Sequence, residues 1–124
     1  MNMLAVRSVY QKSAESTISE IGDPHELILI TLKELNKSLV ALRLNKSLAY
    51  EQRSHHMTRV FTAIYILQSS LDFDKGGEIA TNLFKIYEYC RAQLLADFAS
   101  IGDGDLETCC IVMGDIIDAW SSIR

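Results

Sequence analysis

Two adjacent glycines, Gly76 and Gly77, interrupt a chain otherwise rich in helix formers, and they limit its fold more than any other feature. A pair of glycines inside a helix costs about 2 kcal/mol relative to alanine, so a straight helix through them is not expected. The stretch Leu71-Asp72-Phe73-Asp74-Lys75-Gly76-Gly77-Glu78-Ile79-Ala80-Thr81-Asn82-Leu83 therefore reads as a helix end, a polar hinge and a new helix start. Glu78 opens that new helix, where its charge suits the positive end of the dipole. The rest of the chain folds back about this hinge.

Upstream, Gly22-Asp23-Pro24-His25-Glu26 marks another helix start. Asp23 is the N-cap, Pro24 takes the first helical position, where its missing N–H does no harm, and Glu26 reaches back as in a capping box. Ile28, Leu32, Leu35, Leu39 and Leu42 then recur at spacings of 4, 3, 4 and 3, with Leu27 and Ile30 widening the stripe, and the helix fades near Asn45 and Ser47. A second helix is expected from about Leu48 to Leu71. Its seam is Met57, Val60, Ile64, Leu67 and Leu71, with Phe61 beside it and the polar turns from Glu51 to His56 facing water. The third helix turns Ile79, Leu83, Ile86 or Tyr87, Cys90, Leu94 and Phe98 inward and stops before Ile101-Gly102-Asp103-Gly104. Asp105 caps the fourth, whose seam is Leu106, Cys109, Met113, Ile116, Trp120 and Ile123.

Four helices, each about 30 Å long, joined by short polar connections, make an all-α fold: an antiparallel up-and-down four-helix bundle over residues 23–124. Residues 1–22 show no sustained period and read as a short mobile N-terminal arm that carries Tyr10. At 124 residues with 48% hydrophobic content and a single proline, the chain is one domain with a real core. A formal net charge of -4 argues against a nucleic-acid partner. The charge is uneven: bases dominate between Lys33 and Arg59, and carboxylates dominate the last quarter. No window approaches the ~20 apolar residues of a membrane span, so a soluble cytoplasmic protein without membrane insertion is expected. Three cysteines, an odd number, suit a reducing compartment.

Sites for chemistry are weakly supported. Asp72 to Leu83 begins like a calcium loop, but Leu83 stands where a bidentate glutamate is required. His55 and His56 are adjacent and diverge on a helix, His25 lies elsewhere, and no cysteine has zinc-site spacing. Exposed histidines, no metal, no cofactor and no enzymatic activity are the expectation. Cys109 lies on the core seam, where thiols are usually inert. What remains in surplus is apolar surface: Tyr10 in the arm, and Ile79, Leu83, Ile86, Tyr87 and Tyr89 on the third helix. Either that helix is the most buried of the four, or part of it lines a groove for a partner helix.

The block from Leu71-Asp72 through Gly76-Gly77-Glu78-Ile79-Ala80-Thr81-Asn82-Leu83 to Ile86-Tyr87-Glu88-Tyr89 resembles the signature of the FliS family of flagellar export chaperones. Tyr10, the start at Asp23-Pro24-His25-Glu26-Leu27-Ile28 and Trp120 fall in the same order as in that family. The resemblance implies a cytoplasmic chaperone that binds the disordered C-terminal segment of flagellin, blocks premature polymerisation and helps deliver it to the flagellar type III export gate. It also implies contact with an export gate component, and an anti-sigma factor is a further partner to be considered. In that frame Ile79, Leu83, Ile86 and Tyr87 contribute to a client groove, and Tyr10 belongs to a gate that moves on binding. The alternative is a helical homodimeric structural or adaptor protein with no flagellin client, so self-association is left open.

Overall fold

A computed structural model describes residues 23–123, so Tyr10 and the arm lie outside the described residues. Four helices follow in order: α1 Pro24–Leu44, α2 Tyr50–Ser69, α3 Phe73–Ala99 and α4 Leu106–Ser122. No strand occurs among the described residues. Contacts between opposite helix ends fix the antiparallel order. His25 at the start of α1 meets Trp120 at the end of α4, Ser38 in α1 meets His56 in α2, and Arg53 near the start of α2 meets Asp97 near the end of α3. Each helix thus runs against its two neighbours, which makes an up-and-down four-helix bundle.

The starts of the helices have local causes. The Asp23 carboxylate accepts from the backbone N–H of His25 at 3.0 Å, with Pro24 at the first helical position. Asp105 accepts from the Thr108 N–H at 3.0 Å and from its hydroxyl at 2.7 Å, and these bonds hold the Asp105 carboxyl below its usual range. At the α2–α3 corner the hinge differs from expectation. Asp72 accepts from the N–H groups of Asp74 and Lys75, so helical structure begins at Phe73, ahead of the glycines. Gly76 stays within this first turn, and the break falls at Gly77, with φ 52° and ψ -126°. That left-handed backbone suits glycine and disfavours any residue with a Cβ. Glu78 then opens the long segment of α3.

The seams read from spacing form the core. Leu32, Leu35, Leu39, Val60, Leu67, Tyr87, Cys90, Cys109 and Met113 are fully buried, and every seam residue named for α1 and α2 is buried. Two assignments are corrected. Ile30 is 47% exposed because it lies two residues from both Ile28 and Leu32, and residues at that spacing point to different faces. Phe98 is also 47% exposed. The inward stripe Cys90, Leu94 continues at Asp97, three residues on, because Asp97 pairs with Arg53.

That pair is buried: Arg53 Nη2 lies 2.6 Å from Asp97 Oδ2, with the two side chains 7% and 2% exposed. The other carboxylate oxygen of Asp97 accepts from the Gly102 N–H at 2.9 Å. Asp97 therefore joins α2, α3 and the α3–α4 connection. The expectation that the first turns of α2 face water fails at Arg53. In the same connection, a Cβ on Gly104 would run into the Gln93 carbonyl oxygen and the Asp97 Cβ. Gly104→Ala should lower stability by about 1–3 kcal/mol, the usual effect of forcing atoms into a packed site, and a urea titration will measure it.

His56 gives stability a pH dependence. Its Nδ1 lies 3.2 Å from Ser38 Oγ. Partial burial, together with the charges of His55, Arg59 and Lys37, lowers its pKa below the ordinary 6.5. The unfolded chain then binds this proton more tightly, so the contribution is present above pH 6.5 and is lost as pH falls toward the depressed folded value. His56→Gln should flatten the acid side of a plot of melting temperature against pH.

Candidate partner-binding surface

Phenylalanine is usually buried, yet none of the four in this chain is fully buried. Phe73, Phe84 and Phe98 are 48%, 38% and 47% exposed, and Phe61 is only half-buried. All four lie on α2 or α3. Tyr50 and Tyr65 on α2 join them, each more than two thirds exposed. Phe73 packs edge-on against Phe84, with ring centroids 6.1 Å apart, and Tyr50 lies 6.4 Å from Phe98. Aromatic rings thus mark both ends of the α2–α3 boundary.

This arrangement follows from how α3 is seated. α1 packs closely on α2 and α4, whereas α3 stands farther from both of its neighbours. Polar links fasten it along its length. Gln68 donates to the Phe84 carbonyl and to Glu88 on the α2 side, and on the α4 side Tyr89 donates to Asp105 while the Asp105 N–H donates to Gln93. The bonds from Gln68 and Arg91 hold the Glu88 carboxyl below its usual range.

The residues expected in a groove divide. Ile79, Leu83 and Ile86 are partly buried and pack against the core. Their stripe, at i, i+4 and i+7, continues into Cys90 and Gln93, which meet Cys109 and Asp105 of α4. It therefore runs along the α4-facing edge of α3. Tyr87 is fully buried within the core cluster, so in this state it offers no open surface. Tyr10 cannot be placed, since it precedes the described residues. Spacing alone missed the exposed rings Phe73 and Phe84 and placed Phe98 inward. The available signal was that Phe84 falls off the Ile79-Leu83-Cys90-Leu94 seam, on the side next to α2.

The histidines differ in part from expectation, whereas the cysteines follow it. His25 is buried, not exposed: its ring stacks on Trp120 with centroids 4.6 Å apart. Its Nε2 lies 2.7 Å from the Trp120 carbonyl oxygen, and the Trp120 indole N–H donates to the His25 carbonyl at 3.0 Å. A carbonyl only accepts, so Nε2 carries the hydrogen. This reciprocal clasp closes the end of the bundle where residues 1–22 join α1. Cys90, Cys109 and Cys110 are all buried free thiols. Contact with Cys90 and burial push the Cys109 thiol far above the usual range, away from nucleophilic character. No group of three or more potential metal ligands converges among the described residues. None of their helices is long and apolar enough to cross a membrane.

A model of the family described as flagellar protein FliS matches residues 6–124. The chain is 30% identical to the flagellar secretion chaperone FliS of Salmonella typhimurium over 124 residues, covering 95% of this chain and 88% of that protein. It is 28% identical to the flagellar secretion chaperone FliSB of Pseudomonas aeruginosa, covering 98% of this chain and 96% of that protein. No solved structure gives a significant match.

Proposed function

Because this chain belongs to the FliS family of flagellar proteins, with relatives named flagellar secretion chaperones, we propose that it binds the disordered C-terminal segment of flagellin in the cytosol. By holding that segment it prevents premature polymerisation and assists delivery to an export gate component of the flagellar type III apparatus. The observation that carries this reading is the set of unburied phenylalanines along a helix that stands apart from its neighbours. A segment that folds on docking offsets its ordering entropy by burying apolar surface, and rigid aromatic anchors supply that surface at little entropic cost of their own. Ile79, Leu83 and Ile86 border the opposite edge of the same helix, so an amphipathic segment can engage α3 from both sides.

Calorimetric titration with the flagellin C-terminal segment of the same organism tests this. Phe84→Ala and Phe98→Ala should each weaken binding at least about tenfold, equivalent to about 1.4 kcal/mol, with little change in melting temperature. Tyr10→Ala should alter affinity for flagellin or the export gate while helicity is retained, if the arm acts as a gate. An anti-sigma factor binding the same edges would compete with flagellin. Absence of flagellin binding, together with a concentration-dependent dimer, would favour the homodimeric adaptor instead.

A further inference from the structure

We propose that Cys90 of α3 and Cys109 of α4 are a redox pair, which a peroxide joins in a disulfide that locks α3 onto α4 and weakens client binding. Only the effect on binding rests on the client reading above. The register of the two antiparallel helices places the thiols opposite each other. The Asp105 N–H donates to Gln93 Oε1 at 2.9 Å, and the Tyr89 hydroxyl reaches Asp105 at 3.4 Å. One turn back along α3 from Gln93 is Cys90, and one turn forward along α4 from Asp105 is Cys109. Both are fully buried, and the Cys109 S–H donates to the Cys90 sulfur.

The third cysteine takes another direction. Cys110 lies three residues beyond Glu107, whose carboxylate reaches Arg43 of α1 at 3.8 Å, and the same guanidinium acts on the Cys110 thiol. Neighbouring residues on a helix diverge by about 100°, so Cys109 turned toward α3 leaves Cys110 turned toward α1.

The two partners have different parts in the reaction. The hydrogen bond from Cys109 holds the Cys90 thiol below its usual range, whereas contact with Cys90 and burial push Cys109 up. The thiolate is the nucleophile, so Cys90 reacts first. Its sulfur attacks one oxygen of hydrogen peroxide, the O–O bond breaks, and the departing hydroxide leaves as water after taking a proton from solvent. Cys90 is then a sulfenic acid. The Cys109 sulfur attacks the Cys90 sulfur, the S–O bond breaks, and the second hydroxide takes the Cys109 proton and leaves as water. Two thiols have given two electrons to one peroxide. Burial keeps the pair reduced while α3 is seated, and attack follows local opening of the seam, which the looser seating of α3 favours. A dithiol reductant reverses the bond, as suits a transient, redox-sensing disulfide in a reducing compartment. The cross-link falls in line with Ile79, Leu83 and Ile86, so α3 no longer moves away from α4 to admit a segment along that edge.

The intact protein is treated with hydrogen peroxide and followed by mass and thiol titration. Two of the three thiols should disappear, with a mass loss of two hydrogens per chain. Cys110→Ser should still cross-link, and Cys90→Ser and Cys109→Ser should not. The oxidised protein should melt at a higher temperature, because the closed loop restricts the unfolded chain. It should bind the flagellin C-terminal segment at least about tenfold more weakly, and dithiothreitol should restore both values. Cys109→Ser should bind equally with and without peroxide.

An unchanged thiol titre, a disulfide to Cys110 or a disulfide between two chains would overturn the proposal. So would an intramolecular bond that leaves melting temperature or flagellin affinity where it was. If the reduced protein binds no flagellin, the client reading alone falls, and the mass and melting temperature still decide the lock.

Discussion

Asp97→Ala is expected to destabilise the bundle by about 3–5 kcal/mol, the range seen when one partner of a buried ion pair is removed. The substitution leaves the Arg53 guanidinium buried without its countercharge. Arg53 Nη1 already has no hydrogen-bond partner, so the bond to Asp97 carries much of that charge. It also leaves the Gly102 N–H without its acceptor. Gly102 has a positive φ of 98°, a conformation that the bond to Asp97 helps to hold. At this chain length the loss should lower the melting temperature by roughly 10–20 °C. Replacing both partners together, Arg53→Met with Asp97→Leu, should recover much of the loss, because no charge remains buried. If Asp97→Ala and the double variant melt alike, the bond to Gly102 matters more than the ion pair.

Trp120→Ala should lower stability by about 3–5 kcal/mol, as for other buried large aromatics. The indole is 4% exposed, stacks on His25 and donates to the His25 carbonyl. Trp120→Phe keeps most of the packing and removes only the indole N–H, so about 1 kcal/mol should go, the net worth of one hydrogen bond, because the His25 carbonyl keeps its bond within α1. The two losses together separate packing from hydrogen bonding. Because the clasp joins the start of α1 to the end of α4, either variant should also loosen the first turn of α1, which follows residues 1–22 in the sequence. A change in flagellin affinity beyond that of an equally destabilising core variant, such as Leu39→Ala, would tie the clasp to the arm.

The bundle was legible because 3 and 4 spacing reports which residues share a face, and in α1 and α2 every seam residue so assigned is buried. The candidate site was less legible. Periodicity prefers an apolar residue at an inward position, so it placed Phe98 inside and overlooked Asp97, whose carboxylate is tolerated there only because Arg53 comes from another helix. The partner of a buried charge lies 44 residues away in this case, and no local pattern predicts it. His25 was misread for the same reason: its burial depends on Trp120, 95 residues on. Asp72 displaced the hinge by capping a short first turn ahead of Gly77, a local effect that propensity alone does not weigh.

The break at Gly77 divides α3 into unequal cooperative parts. Phe73 to Gly76 form a single turn, tied down by Asp72 and by the ring contact of Phe73 with Phe84. The backbone ladder of the long rod starts only after the left-handed residue. Opening that turn therefore leaves the rod intact, and its amides should exchange with solvent deuterium by local fraying, while those around Tyr87, Cys90 and Leu94 exchange only when the whole bundle unfolds. The corner that connects α2 to α3 can thus yield to a docking chain and close again within the lifetime of one folded molecule.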